Sequence, residues 1–242
     1  MRARSKIGLS SAVESSGAHA TSAFHREWDM STRAGSKRIA AIALAIATSM
    51  AVACSSDSKN PLTSSGPKFS SPLPIEAGQT IGAATYASGD SSTGGQGQTV
   101  DGIACDTSTP TYHIHAHLTL IADGQQRAIP MAVGVGNPFV IQNFVVAAGC
   151  YYWLHTHDAT GIIHVEAPDS AAFTLGQFFD IWGEPLTRSN VAGFTGTVTA
   201  FVNSTKYTGD LSALTFSPHE QITLIVGAVP DTIPIYAFPS AY

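Results

Sequence analysis

The stretch Tyr112–Ile121, YHIHAHLTLI, decides the fold class. Polar and apolar residues alternate along it, and β-branched and aromatic side chains are frequent, which is the pattern of a strand with one face turned to a core. Asp123-Gly124 follows, the strongest short hairpin signal, and Gln125–Val133 reads as the returning strand. Further strands are expected at Phe139–Val146, Tyr151–His157, Ile162–Glu166, Thr197–Val202 (before a turn at Asn203-Ser204) and Gln221–Val226. One helix is expected at Thr174–Trp182, where Thr174 and Gln177 form a capping box and Gly183 supplies the stop. The expected fold class is therefore mainly β, an antiparallel sandwich or barrel with one short helix.

Composition agrees with that reading. Of 242 residues only 12% are charged, about half the usual fraction, and Gly 22 and Pro 13 imply many turns. These values do not look like those of a helical bundle or a coiled coil. A collagen is excluded because glycine has no period. No apolar run reaches the roughly 18 residues of a membrane span, which excludes a polytopic membrane protein. Seven of the twelve basic residues precede residue 39. From Cys54 onward five basic residues face fourteen acidic ones, a net charge of −9. Such a body argues against a nucleic-acid partner, which requires clustered Lys and Arg, and is compatible with cations.

Residues 37–54 read KRIAAIALAIATSMAVAC. Lys37 and Arg38 precede a short apolar core, and small residues lead to Cys54, the layout of an export signal. The Cys placed directly after Ala53 resembles a bacterial lipoprotein signal, which implies lipidation of Cys54 and a lipid-anchored, extracytoplasmic protein of the cell envelope. Ala51 departs from the Leu or Val of that pattern, and a plain secretory signal is the alternative. Met30 opens a segment of normal signal-peptide proportions and is the expected true start; a long n-region is the alternative. Residues 1–53 are thus a signal region, 54–100 a Ser-, Pro- and Gly-rich flexible tether, and 101–242 the β-rich domain. Within the tether, Pro74–Tyr86 can dock as a strand or stay loose. With Cys54 lipidated, Cys105 and Cys150 remain as an even pair, and a disulfide is expected in an oxidising compartment. Two free thiols, or one thiolate metal ligand, are the alternatives.

Nine histidines are present, and His19 and His25 lie upstream of the signal core. Six of the other seven fall in two groups: His113, His115 and His117 in HIHAHL, and His155, His157 and His164 in LHTHDATGIIHVE. Alternate strand residues share a face, so the first three point one way, as do His155 and His157. A hairpin closing symmetrically on Asp158-Ala-Thr-Gly161 sets His155 opposite His164, His157 opposite Ile162, and Trp153 opposite Glu166. A two-residue or four-residue turn gives the same register. Directly opposite side chains stand roughly 4.5–5.5 Å apart at Cβ, so three imidazoles converge with Glu166 at their edge. The Cys105–Cys150 bridge would bring the two groups together into a six-histidine cavity for one metal ion or two.

The candidate metal ligands are His113, His115, His117, His155, His157, His164 and Glu166. Imidazole-rich donor sets suit first-row transition metals, and so few carboxylates speak against Mg or Ca. There is no Met-rich stripe of the kind a Cu(I) carrier uses. Copper and zinc both remain open as the cofactor. Asp158 can orient a histidine or simply shape its turn. His219 reads as a surface residue. The paired-His segments resemble the copper motifs of multicopper oxidases, although no His-Cys-His segment is present. The cross-strand arrangement resembles the three-histidine zinc site of α-carbonic anhydrases in local geometry only.

HIHAHL, LHTHDATGIIHVE and FTLGQFFDIWG together resemble a family of uncharacterised secreted prokaryotic proteins over about residues 105–227. That resemblance implies export and a His-rich site, with no activity to carry over. No G-x-S-x-G elbow or phosphate-binding Gly loop occurs. Three functions fit: metal capture or delivery, a metalloenzyme with an open three-histidine site (hydrolysis, hydration or copper oxygen chemistry), and a structural envelope domain with a buried histidine network. The expected partners are a metal ion and, through Cys54, a membrane; the sequence names no protein partner.

Overall fold

A computed structural model of the chain describes residues 66–88 and 94–242. Met30, the export signal, Cys54 and the tether as far as Ser65 lie outside the described residues. Two short strands come first, β1 (Lys68–Phe69) and β2 (Leu73–Pro74), then β3 (Cys105–Asp106) and the long β4 (Tyr112–Ala122). Asp123 and Gly124 adopt φ of 55° and 71°, the two left-handed residues a tight hairpin needs, and β5 (Gln125–Arg127) returns along β4. It stops at Arg127 rather than Val133. Pro130 lacks the N–H a ladder requires, and Ala132 is itself left-handed.

After β6 (Val135–Gly136), the single strand expected at 139–146 is a hairpin, β7 (Phe139–Ile141) and β8 (Phe144–Ala147). Gln142 and Asn143 turn there with φ of 50° and 59°, inside an apolar run that hides them. The next expected strand is also divided, into β9 (Cys150–Tyr152) and β10 (Leu154–His155), followed by β11 (Ile162–Ala167). The one helix among the described residues, α1 (Leu175–Trp182), has the expected caps. Gln177 N–H donates to Thr174 Oγ1, Thr174 N–H donates to Gln177 Oε1, and Gly183 is left-handed. The remaining strands are β12 (Asn190–Val191), β13 (Phe194–Thr195), β14 (Val198–Val202), β15 (Thr205–Tyr207), β16 (Glu220–Val226), β17 (Thr232–Ile233) and β18 (Tyr236–Ala237).

The molecule is mainly β, built of several sheets, with no closed barrel among the described residues. The central sheet has seven strands in the order β10-β11-β4-β16-β14-β15, with β5 added on β4. Its pairs are antiparallel except β4–β16, which run parallel. A parallel pair needs a long crossover, and here β5 to β15, with α1 among them, lie between the two strands.

The alternation in β4 sorts its side chains between two environments. Ala116, Leu118 and Leu120 face the main core, where Ile163 and Val165 of β11 and Phe178, Phe179 and Trp182 of α1 also pack. His113, His115, His117, Thr119 and Ile121 have the opposite parity. On that side Ile121 packs with Phe201, Ile225 and Ile233. Farther along, where His117 pairs with Ile162, a second small cluster joins Ile162, Ile75, Ile81 and Tyr236.

Residues 66–82, assigned to the tether from composition, therefore lie against the domain. β1 pairs with β17, β2 pairs with β18, and Ile75 and Ile81 are buried. A buried Ile contributes about 1.5–3 kcal/mol, enough for two of them to offset the Ser and Pro around them. Among the described residues no helix is long and apolar enough to cross a membrane.

Cys105 and Cys150 form a disulfide with a Cα–Cα distance of 5.4 Å. It lies in the small sheet β3-β9-β6 and ties the chain just before β4 to the chain just before β10. The histidine strands themselves meet through β11. Closing a loop of 45 residues stabilises the fold by about 4 kcal/mol in the chain-entropy account. A Cys105→Ser/Cys150→Ser variant is expected to melt roughly 10 °C lower than the oxidised protein in a calorimetric scan. Reducing the wild type should reproduce the drop, and an unchanged melting temperature would contradict the assignment.

Candidate metal centre

The site grows out of strand register. β10 pairs with β11 so that His155 faces His164, and β11 pairs with β4 so that His164 faces His115 and Glu166 faces His113. His155, His164 and His115 thus form one row across three strands, with Glu166 and His113 in the next row on the same face. Ring centroids are 5.4 Å apart for His155 and His164, and 4.5 Å for His164 and His115. His157 leaves the ladder. Its carbonyl accepts from Val145 N–H instead, which swings the ring over the row to 4.4 Å from His164. Gly161 permits the return into β11. Its φ is 89°, and a Cβ there would stand 2.5 Å from the Leu118 carbonyl oxygen.

Hydrogen bonds fix the tautomers of two rings. His155 Nδ1 lies 2.8 Å from the Tyr152 carbonyl, and His157 Nδ1 lies 2.6 Å from the Val145 carbonyl. A carbonyl only accepts, so each Nδ1 carries a proton, and in the neutral ring Nε2 presents a lone pair. Those two Nε2 atoms face each other at 3.0 Å. Two bare lone pairs so close repel, and either a proton on one Nε2 or a metal ion between both removes that repulsion. Ligands about 2.1 Å from a tetrahedral ion stand about 3.4 Å apart, close to this separation. Donation of the second ring nitrogen to a carbonyl is also how metal-bound imidazoles are held in orientation.

Glu166 sits between the groups. Its Oε1 is 3.0 Å from His113 Nε2, 3.1 Å from His164 Nδ1 and 4.0 Å from His155 Nε2. Among the described residues two sets of donors can hold a metal ion: His155, His157, His164 and Glu166, and His113, His115 and His164. In each set the donor atoms lie within 4.8 Å of one another. The Tyr242 ring covers the second set, 4.4 Å from His115 and 5.3 Å from His164.

Of the seven residues singled out in the sequence, six come together and His117 lies outside both sets. His117 Nε2 donates to the Thr160 carbonyl at 2.9 Å, its Nδ1 faces the Thr119 hydroxyl at 3.4 Å, and Tyr236 packs on the ring. Asp158 shapes its turn. Oδ1 accepts from the Thr160 N–H and Oδ2 accepts from the Gly78 N–H, which ties the leading segment to the site. His219 Nε2 donates to the Tyr242 carbonyl. Sequence reasoning missed the Tyr152 and Val145 carbonyls, Tyr242, and Tyr151, which packs on His155 and His157. Backbone carbonyls carry no sequence signal, and Tyr242 has no local motif.

Burial disfavours the charged form of four of these rings. It pushes His155 and His164 well below the usual imidazole range, with neighbouring imidazoles adding to the effect, and pushes His115 and His117 down to about 4. These rings offer lone pairs at neutral pH. The folded values lie below the unfolded one near 6.5, so the unfolded chain takes up protons first as pH falls. Stability is complete above about pH 6.5 and declines toward pH 4, by about 3 kcal/mol for His117 alone, with the other buried rings acting in the same direction. Denaturant titrations of chelator-treated protein between pH 7.5 and 4.5 should show this decline. A flat profile would contradict burial of neutral imidazoles.

Glu166 also lines a cleft of about 410 Å³, with Tyr151, Trp153, Asp106 and Val146 around it. That volume is within the range of small-molecule sites. Asp106 is engaged on its own side by Ser108 and the Trp153 indole N–H. No protein-family model, curated protein or solved structure matches the chain, so its chemistry is read from its own side chains.

Proposed function

We propose that the protein binds a transition metal ion, copper or zinc, through His155, His157, His164 and Glu166, and that it serves metal capture or delivery as an exported protein of the cell envelope. The observation that carries this reading is the pair of Nε2 atoms facing each other at 3.0 Å, each ring oriented by a carbonyl on its Nδ1. Imidazole-dominated donors with one carboxylate favour zinc or copper over Mg or Ca. The lipoprotein-type signal supports anchoring through lipid on Cys54.

A second reading has its own observation. The cleft lined by Glu166, Tyr151 and Trp153 gives a small molecule room beside one of the candidate ligands, as a metalloenzyme needs. A metal ion there would supply Lewis acidity. The chain would contribute Glu166 in the cleft lining and the Tyr151 and Trp153 rings beside it.

Untagged protein purified as the cell produces it should contain copper or zinc by elemental mass spectrometry. The His155→Ala/His157→Ala variant should lose it, with a fall in affinity beyond the roughly 10–100-fold of an outer-shell change. Chelation should lower the melting temperature by roughly 5–10 °C, because an ion at about 100 times its Kd adds about 2.7 kcal/mol. A metal-free protein whose melting point ignores both chelator and added metal would instead be a histidine-networked structural domain. Cys54→Ser should abolish lipid labelling and release the protein from membranes, whereas unchanged fractionation would favour a plain secretory signal.

A further inference from the structure

We infer that the site is binuclear: a second ion binds His113 and His115 beside the first, which keeps His164, and the Glu166 carboxylate bridges the two. This rests on the metal reading above. Five imidazoles and one carboxylate converge, which is more than a tetrahedral ion accepts. The surplus is organised. His113 and His115 reach His164 from β4, whereas His155 reaches it from β10 on the other side of β11.

Two observations point to an ion on the β4 side. His115 is 6% exposed, and its Nε2 is buried without a hydrogen-bond partner among the described residues. A buried imidazole nitrogen left unpaired is destabilising, and a bound ion would recover that loss. Glu166 Oε1 lies nearly equidistant from His113 Nε2, at 3.0 Å, and His164 Nδ1, at 3.1 Å. A carboxylate has two oxygens and about four lone-pair sites, so it can serve two ions at once, at the roughly 3.5–4 Å separation typical of two-metal centres. Tyr242 closes this side with its ring against His115 and His164.

The test uses untagged, chelator-stripped full chain, loaded in parallel with zinc and with Cu(II). After desalting, elemental analysis should find two ions per chain, and the doubly loaded copper form should show magnetically coupled spins. The exposed-site variant His113→Ala and the double variant His113→Ala/His115→Ala should each retain one ion, while His155→Ala/His157→Ala loses the first site. One ion in the wild type overturns the binuclear proposal and leaves the metal reading standing, whereas no ion overturns both. Two uncoupled copper ions, or two ions retained by a folded His113→Ala/His115→Ala variant, place the second ion elsewhere and overturn the bridge. The wild-type stoichiometry and spin coupling decide the matter even if the double variant fails to fold.

Discussion

The pairing of β10, β11 and β4 in one register is the constraint on which the site depends. Because side chains alternate along a strand, a slip of one residue in either ladder would send His155, His164 or His115 to the opposite face. The register is held from the other side of the sheet. Ile163 and Val165 of β11 and Ala116 and Leu118 of β4 are buried in the main core, so a slip that moved the histidines would also bring apolar groups out of it. The core thus specifies the site from the opposite face. The leading segment and the final strands cover the histidine face, and the disulfide shortens the path between the beginnings of β4 and β10.

His117 shows what a purely structural histidine looks like in this protein. It is fully buried on the same strand face as His115, yet each of its ring nitrogens has a partner. The site histidines differ. His155 and His157 spend Nδ1 on backbone carbonyls and aim Nε2 at each other, and His115 Nε2 has no partner among the described residues. Burial also disfavours the charged forms of His155 and His164, which leaves each a lone pair at neutral pH.

Much of this was legible in the sequence. Strand parity in HIHAHL and the symmetric hairpin around Asp158–Gly161 gave the facing of His155 and His164, and the capping residues gave α1 within one residue of its start. The disulfide pair followed from counting cysteines. Other features were hidden for identifiable reasons. Parity alone placed His117 with its neighbours, because the Thr160 carbonyl that engages it comes from a turn. The turn at Gln142-Asn143 sits within apolar residues, and Ile75 and Ile81 were outweighed by the Ser and Pro around them. The union of the two histidine groups came from β11 pairing with β4, a long-range ladder that no local pattern reveals. The parallel β4–β16 pair has the same origin.

The central claim is that two bare Nε2 atoms converge on a metal ion, and nitrogen-resolved NMR of the histidine rings tests it most directly. In zinc-loaded protein the account predicts that His155 and His157 both retain Nδ1–H, that neither carries a proton on Nε2, and that both Nε2 signals shift together as the first equivalent binds. An Nε2–H on either ring that persists at saturating zinc would mean an ordinary histidine–histidine hydrogen bond, and would contradict the account.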